Sequence, residues 1–197
     1  MKYIPEKMIA KSRFSVLFGR SDDRTQDLVK ERIDALVGQN KEYADDKNYS
    51  HLCNLLTSLA FVQVFMDEGM SREESIARVR DAMYEYIAPM KKKMQKLSSN
   101  PLFIPFLKFS MPVKFGKTLG HGWEVEFPEA PSGEFAMITH KCIYDQIFRK
   151  YGLAEMTAVF CYVDDILYSE LPGADFTYTG QIGCGGSCCD YTFKKKK

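Results

Sequence analysis

The chain has 197 residues, with 27 Lys and Arg against 26 Asp and Glu, a formal net charge of +1. At 45% hydrophobic and 13% aromatic content it has ample material for a core, which excludes a disordered chain. The balanced charge lacks the basic excess of a phosphate-binding surface, so no nucleic-acid partner is expected.

The first residues, Met1 to Phe14, lack the continuous apolar stretch of a signal peptide, and the expectation is a cytoplasmic protein. The longest apolar segment, Leu55 to Met66, is broken by Thr57, Ser58 and Gln63. That is the length of a core helix, and no membrane span is expected. Six cysteines in a reducing compartment read as thiols or ligands and not as disulfides.

In chain order, the first third reads as helix. Leu28, Val29, Ile33, Leu36 and Val37 recur near helical spacing, and Gly38 is placed to end that helix. A polar loop follows, then a helix carrying Leu52, Leu55, Leu56, Leu59, Val62 and Met66, with Phe61, Val64 and Phe65 widening its apolar face. Ser71 and Glu74 form a capping-box pattern opening a helix with Ile76, Val79, Met83, Ile87, Met90 and Met94 on one stripe. Pro89 marks a kink in it.

Residues 100–116 change character. Pro101, Pro105 and Pro112 argue against one regular helix, yet four phenylalanines ask for burial. The segment reads as a lid over a pocket, a surface helix resting on a membrane, or a connector packed on the core.

Strand signals begin at residue 121. Trp123, Val125 and Phe127 alternate with Glu124 and Glu126, and Phe135 to Thr139 is a second strand. Cys142 to Tyr151 reads as helix ending at Gly152. Glu155 to Leu167 fits helix or strand. Phe176 with Tyr178, and Cys189 with Tyr191 and Phe193, alternate with polar neighbours and read as antiparallel strands around the turn at Gly183 to Ser187. Lys194 to Lys197 reads as a solvated tail.

The layout is α+β: N-terminal helices packed on a C-terminal, mainly antiparallel sheet with one or two further helices. A single domain over 1–197 is expected, with a helical half to about 98, the Pro/Phe-rich connector at 100–116 and a strand-rich half over 119–193.

Chemistry concentrates late in the chain. Cys161, Cys184, Cys188 and Cys189 lie close in sequence to Asp164, Asp165 and Asp190. The run Gly183-Cys184-Gly185-Gly186-Ser187-Cys188-Cys189-Asp190 either turns its N–H groups toward a bound carboxylate or oxyanion, or is a tight hairpin turn. A thiol beside such donors has a lowered pKa and becomes nucleophilic. In a helix Cys161 shares a face with both Asp164 and Asp165; in a strand it pairs with Asp165 alone. Cys53 and Cys142 read as small core hydrophobes. The C-x3-C-C spacing of Cys184, Cys188 and Cys189 does not match zinc-ribbon pairs, so neither a metal site nor a cofactor is expected. His51, His121 and His140 read by type as packing groups or general bases.

The ordered set Tyr49-Ser50-His51, Gly120-His121-Gly122-Trp123-Glu124, Cys142, Tyr151 to Glu155, Cys161 to Asp165 and Gly185 to Phe193 resembles the L-2-amino-thiazoline-4-carboxylic acid hydrolase family, over roughly residues 45–193. The resemblance implies catalytic roles for His51, Cys161, Asp164, Cys189 and Asp190. Gly185, Gly186 and Asp165 are candidates for binding the substrate. Tyr191 stands where the family usually has phenylalanine, and Thr192 where arginine is frequent.

The implied enzyme is a hydrolase acting on the carbon–nitrogen bonds of a cyclic amidine. Water adds to the ring carbon between nitrogen and sulfur, the C–S bond breaks, and N-carbamoylcysteine results. A base or thiolate, an acid, and a holder for the carboxylate are needed. The small-molecule substrate is the one partner expected. The alternative is a non-catalytic sensor domain binding a small molecule, thiol or metal.

Overall fold

The computed structural model describes residues 3–196. They fall into two compact units: 3–86 with 118–121, and 87–117 with 122–196.

The first unit is helical. Helices α1 (Pro5–Lys11), α2 (Ser15–Arg20) and α3 (Asp23–Gln39) precede α4 (Tyr49–Asp67). Asp22 caps α3 by accepting from the Thr25 N–H at 3.0 Å. α3 runs past Gly38, where the glycine signal predicts its end. Asn40 closes it instead, its side-chain amide donating to the Leu36 carbonyl at 2.7 Å.

α4 is the centre of this unit. Twelve of its residues, from Leu52 to Phe65, are buried, and α1 and α3 pack against it. By length and hydropathy alone its 19 residues are enough to cross a membrane, which the sequence reading did not expect; 67% of that window is covered by protein. A helix apolar all round is the expected result of burial on every side.

Gly120 and His121 are tied into the first unit by two polar side chains. The Asp45 carboxylate accepts from the His121 N–H at 2.8 Å, and the Asn48 carbonyl oxygen accepts from the Gly120 N–H at 2.9 Å. A Cβ on Gly120 would lie 2.0 Å from Asp45 Oδ2, so a larger residue would have to displace that carboxylate from its bonds.

Helix α5 (Arg72–Ser98) begins with the expected capping box: Glu74 N–H donates to Ser71 Oγ and Ser71 N–H to Glu74 Oε2, both at 3.2 Å. It continues through Pro89.

The second unit holds the sheet. Strands β1 (Glu124–Glu126), β2 (Glu134–Lys141), β3 (Ala174–Thr177) and β4 (Cys189–Lys195) form one antiparallel sheet in the order β1-β2-β4-β3. The α+β class stands, with the helices mostly ahead of the sheet. On the central pair, Phe135 faces Phe193, Met137 faces Tyr191 and Thr139 faces Cys189. Because strand side chains alternate, these six share one face, which is buried.

Residues 103–118 correct the sequence reading: they form one helix, α6 (Phe103–Thr118), despite its prolines. Pro105 is in the first turn, whose N–H groups have no helical partner, and Pro112 forfeits a single bond. Phe103, Ile104 and Leu107 pack on the buried sheet face with Phe135, Tyr191 and Phe193. α7 (Ile143–Lys150) ends before Gly152, whose φ of +68° is readily adopted only by glycine. The ambiguous stretch is helical: α8 (Met156–Tyr168).

Candidate active site at a thiol pair

β4 presents Cys189 and Tyr191 on its buried face, two residues apart, with only 7% and 6% of their surfaces exposed. α8 brings Cys161 and Asp164 to them, one helical turn apart on a single face and half-buried. A short 3-10 turn, Ile182–Cys184, completes the enclosure and packs on α8.

Glycine makes that packing possible. A Cβ on Gly183 would fall 2.7 Å from the Ala158 nitrogen and the Thr157 carbonyl carbon, and 2.8 Å from Cys161 Sγ. Backbone of the turn therefore touches backbone of α8, and the Gly183 N–H donates to Cys161 Sγ.

Cys189 sulfur collects donors. Its pKa is lowered to about 7, first by the hydrogen bond from the Cys161 thiol, then by the Ile182 N–H at 3.2 Å and the Tyr191 hydroxyl. Burial and the Asp164 charge oppose this shift without cancelling it. Cys161 moves upward, first because its thiol proton is held by Cys189 and then by burial. The two shifts run in opposite directions: the contact favours the thiolate at Cys189 and the thiol at Cys161.

Tyr191 is pushed up by burial and by the neighbouring Asp164 charge, and stays a phenol. Its hydroxyl reaches both Asp164 and Cys189, linking the half-exposed carboxylate to the buried sulfur. Cys142, at the start of α7, is held protonated by burial at about 12 and lies close enough to feel the Cys189 charge.

Two buried polar atoms beside this site have no hydrogen-bond partner: Gln181 Nε2, next to Ile182, and Thr157 Oγ1, on the turn of α8 that Gly183 touches. Such groups are costly to leave unsatisfied and mark places where a polar ligand or water would be stabilised.

The other residues singled out in the sequence lie differently. Asp190, adjacent to Cys189, is on the opposite face of β4. Burial raises its pKa, but bonds from the Thr179 hydroxyl and from the Gly180 and Thr179 N–H groups, both at 2.8 Å, outweigh that and hold it below the usual carboxylate range. Its carboxylate fastens the loop after β3. Gly185 and Gly186 have their N–H groups committed to the turn, donating to the Ile182 and Gln181 carbonyls at 3.2 and 2.9 Å. Gly185 sits at φ +91°, and a Cβ on Gly186 would come 2.8 Å from the Gln181 nitrogen, so both glycines are explained by turn closure. Asp165 accepts from the Tyr178 hydroxyl, whose pKa rises to about 12, first through burial and then through that bond. Cys184 is exposed, and its thiol donates to Gln181 Oε1 at 3.4 Å. His51 belongs to the first unit, in the opening turn of α4.

Tyr191 escaped the sequence reading as a site residue. Its signal was present: on a strand, i and i+2 share a face, so a residue paired with Cys189 is Tyr191 and not Asp190. Gln181 and Thr157 carried no such signal. Among the described residues, no group of three or more His, Cys, Asp or Glu is arranged to hold a metal ion.

Residues 50–193 match the model of the L-2-amino-thiazoline-4-carboxylic acid hydrolase family. No curated protein matches the sequence. Two solved structures align along the whole chain at low similarity. One is an H-NOX protein from S. oneidensis in the Fe(II)NO ligation state, at 9% identity and TM-score 0.39, covering 100% of both chains. The other is an H-NOX mutant from K. algicida in the unliganded Fe(II) state, at 10% identity and TM-score 0.35, covering 100% of this chain and 97% of that one. Scores this low carry no argument about this protein. The family match spans most of the chain, and the protein belongs to the L-2-amino-thiazoline-4-carboxylic acid hydrolase family.

Proposed function

We propose that this member of the family opens a 2-amino-thiazoline-4-carboxylate-like ring by thiol catalysis, with Cys189 as the nucleophile. The observation that carries the reading is the Cys189 sulfur, held by three donors with its pKa lowered to about 7. Such a thiol is substantially ionised at neutral pH without a general base.

In the proposed sequence the Cys189 thiolate attacks the ring carbon between nitrogen and sulfur. The C–S bond of the ring breaks, and the departing sulfur takes a proton to become the cysteine thiol of the product. The enzyme is left bound to that carbon as an isothiourea. Water then adds to the same carbon, the bond to Cys189 breaks, and the water oxygen remains as the carbonyl of N-carbamoylcysteine. One water is consumed per ring opened.

Cys161 and Tyr191, both held protonated, supply protons near the departing sulfur and the ring nitrogens. Asp164 pairs with the amidinium, whose two N–H groups match a carboxylate's two oxygens. Gln181 Nε2 and Thr157 Oγ1 offer unused hydrogen-bonding capacity for the polar edge of the substrate.

The test is incubation of the protein with 2-aminothiazoline-4-carboxylate, following the new product thiol and N-carbamoylcysteine by mass spectrometry. A trapped adduct on the peptide containing Cys189 is the expected companion result. Tight binding of the compound with no product would instead favour a sensor domain.

A further inference from the structure

α6 is apolar on both sides, and the protein covers only one of them. Phe103, Ile104 and Leu107 are buried in the core of the second unit. Leu102, Phe106, Phe109 and Val113 leave 68%, 51%, 76% and 47% of their surfaces exposed. Their spacing of four, three and four residues sets them in one row, from the residue before α6 to its third turn. A contiguous exposed row of this kind marks a contact surface.

The stretch of chain that carries the row is one-sided in charge, with Glu129 of the neighbouring loop beside Lys108 and Pro112. Residues 86–123 contain seven lysines and no Asp or Glu. That stretch is +7 in a chain of +1, which leaves −6 for the rest. Three of the lysines, Lys108, Lys114 and Lys117, are on α6 itself. The Lys108 ammonium braces the loop between β1 and β2, donating to the Ala130 and Pro131 carbonyls at 3.0 and 3.1 Å. Lys91 pairs with Glu170 at 2.7 Å.

We propose that α6 docks the protein reversibly on an anionic phospholipid surface. Phe106 and Phe109 enter the boundary between headgroups and acyl chains, and the basic stretch meets the anionic headgroups. A second copy of the chain fits the row poorly, because a twofold pairing would bring the lysines of α6 against one another. Four protruding side chains also offer far less area than a stable protein interface needs. A fluid lipid layer accepts such a row without a matching pocket and supplies the opposite charge. This docking goes beyond ring opening and does not rest on it.

The experiment is flotation of the full chain with vesicles of phosphatidylcholine alone, and of phosphatidylcholine mixed with phosphatidylglycerol, at low and high salt. The protein should float with the anionic vesicles, be released by salt, and ignore the neutral ones. Replacing Phe106 and Phe109 together by serine should lower partitioning at least about tenfold with an unchanged far-ultraviolet circular dichroism spectrum. Lys117→Glu should lower it about fivefold or more. If the double variant fails to fold, the salt dependence and Lys117→Glu decide the matter. Absence of flotation, or equal flotation with both vesicle types, overturns the proposal. So does a concentration-dependent dimer in sedimentation velocity that the double variant abolishes, which would give the row to a second copy.

Discussion

The two faces of β4 carry adjacent residues to opposite duties. On the buried face, Cys189 and Tyr191 meet Cys161 and Asp164 of α8, and every donor near the sulfur favours its thiolate. On the other face, Asp190 spends its carboxylate on Thr179 and Gly180, anchoring the loop that leads into the Gly183 turn. One face holds the perturbed thiols and phenol, and the other fastens the backbone beside them. A single-residue step in sequence separates the two, because a strand turns successive side chains to opposite sides.

The largest effect expected from breaking this division is at the sulfur. Cys189→Ser should lower ring opening by at least about 100-fold, since serine keeps the size and loses the readily ionised nucleophile. Retained turnover would make water the attacking group and Cys189 a packing residue.

Next comes the donor. kcat/KM should rise with pH and level off above about 7, the value to which Cys189 is lowered. Cys161→Ala removes the leading stabiliser of the thiolate, so the Cys189 pKa rises and the limb moves to higher pH. Activity at neutral pH then falls, while the plateau at high pH falls less. An unmoved limb would detach Cys161 from the ionisation of Cys189.

Gly183→Ala probes the joint between scaffold and site. Its Cβ would collide with α8 backbone at 2.7 Å, which should cost about 1–3 kcal/mol in urea unfolding and weaken turnover by displacing Cys161. Unchanged stability would mean that the turn can move away from α8.

The outer face should respond least. Asp190→Asn loses charge-assisted bonds to a loop and should cost about 1 kcal/mol of stability, with less than about a tenfold change in kcat. Cys184→Ser, at an exposed thiol, should leave turnover within about twofold. An Asp190→Asn variant that is stable yet inactive would move Asp190 from scaffold to chemistry.

Periodicity alone determined much of the architecture. Apolar residues at helical spacing located α3, α4 and α5, alternation located the strands around the Gly-rich turn, and Ser71 with Glu74 marked the start of α5. These patterns are legible because each depends on residues close in the chain, through the helical and strand repeats. Cys161, Asp164 and Cys189 were legible by residue type and by family resemblance. The resemblance also implied that they meet; the contact that brings them together was not legible, because it depends on how a turn at residues 182–184 packs on a helix some 20 residues earlier.

Tertiary structure alone decided three further matters. It separated Asp190 from Tyr191 as neighbours of the Cys189 sulfur, since a strand's phase against its neighbours sets which face is buried. It turned the Gly185 and Gly186 amides into turn closures, since an N–H bonds whatever carbonyl the backbone brings near. It also distinguished α4 from α6, two helices rich in apolar residues. α4 is enclosed by its own unit, whereas α6 covers the sheet with one side and leaves Phe106 and Phe109 in water. Composition records how apolar a helix is, but the number of neighbours that cover it depends on where the rest of the chain folds.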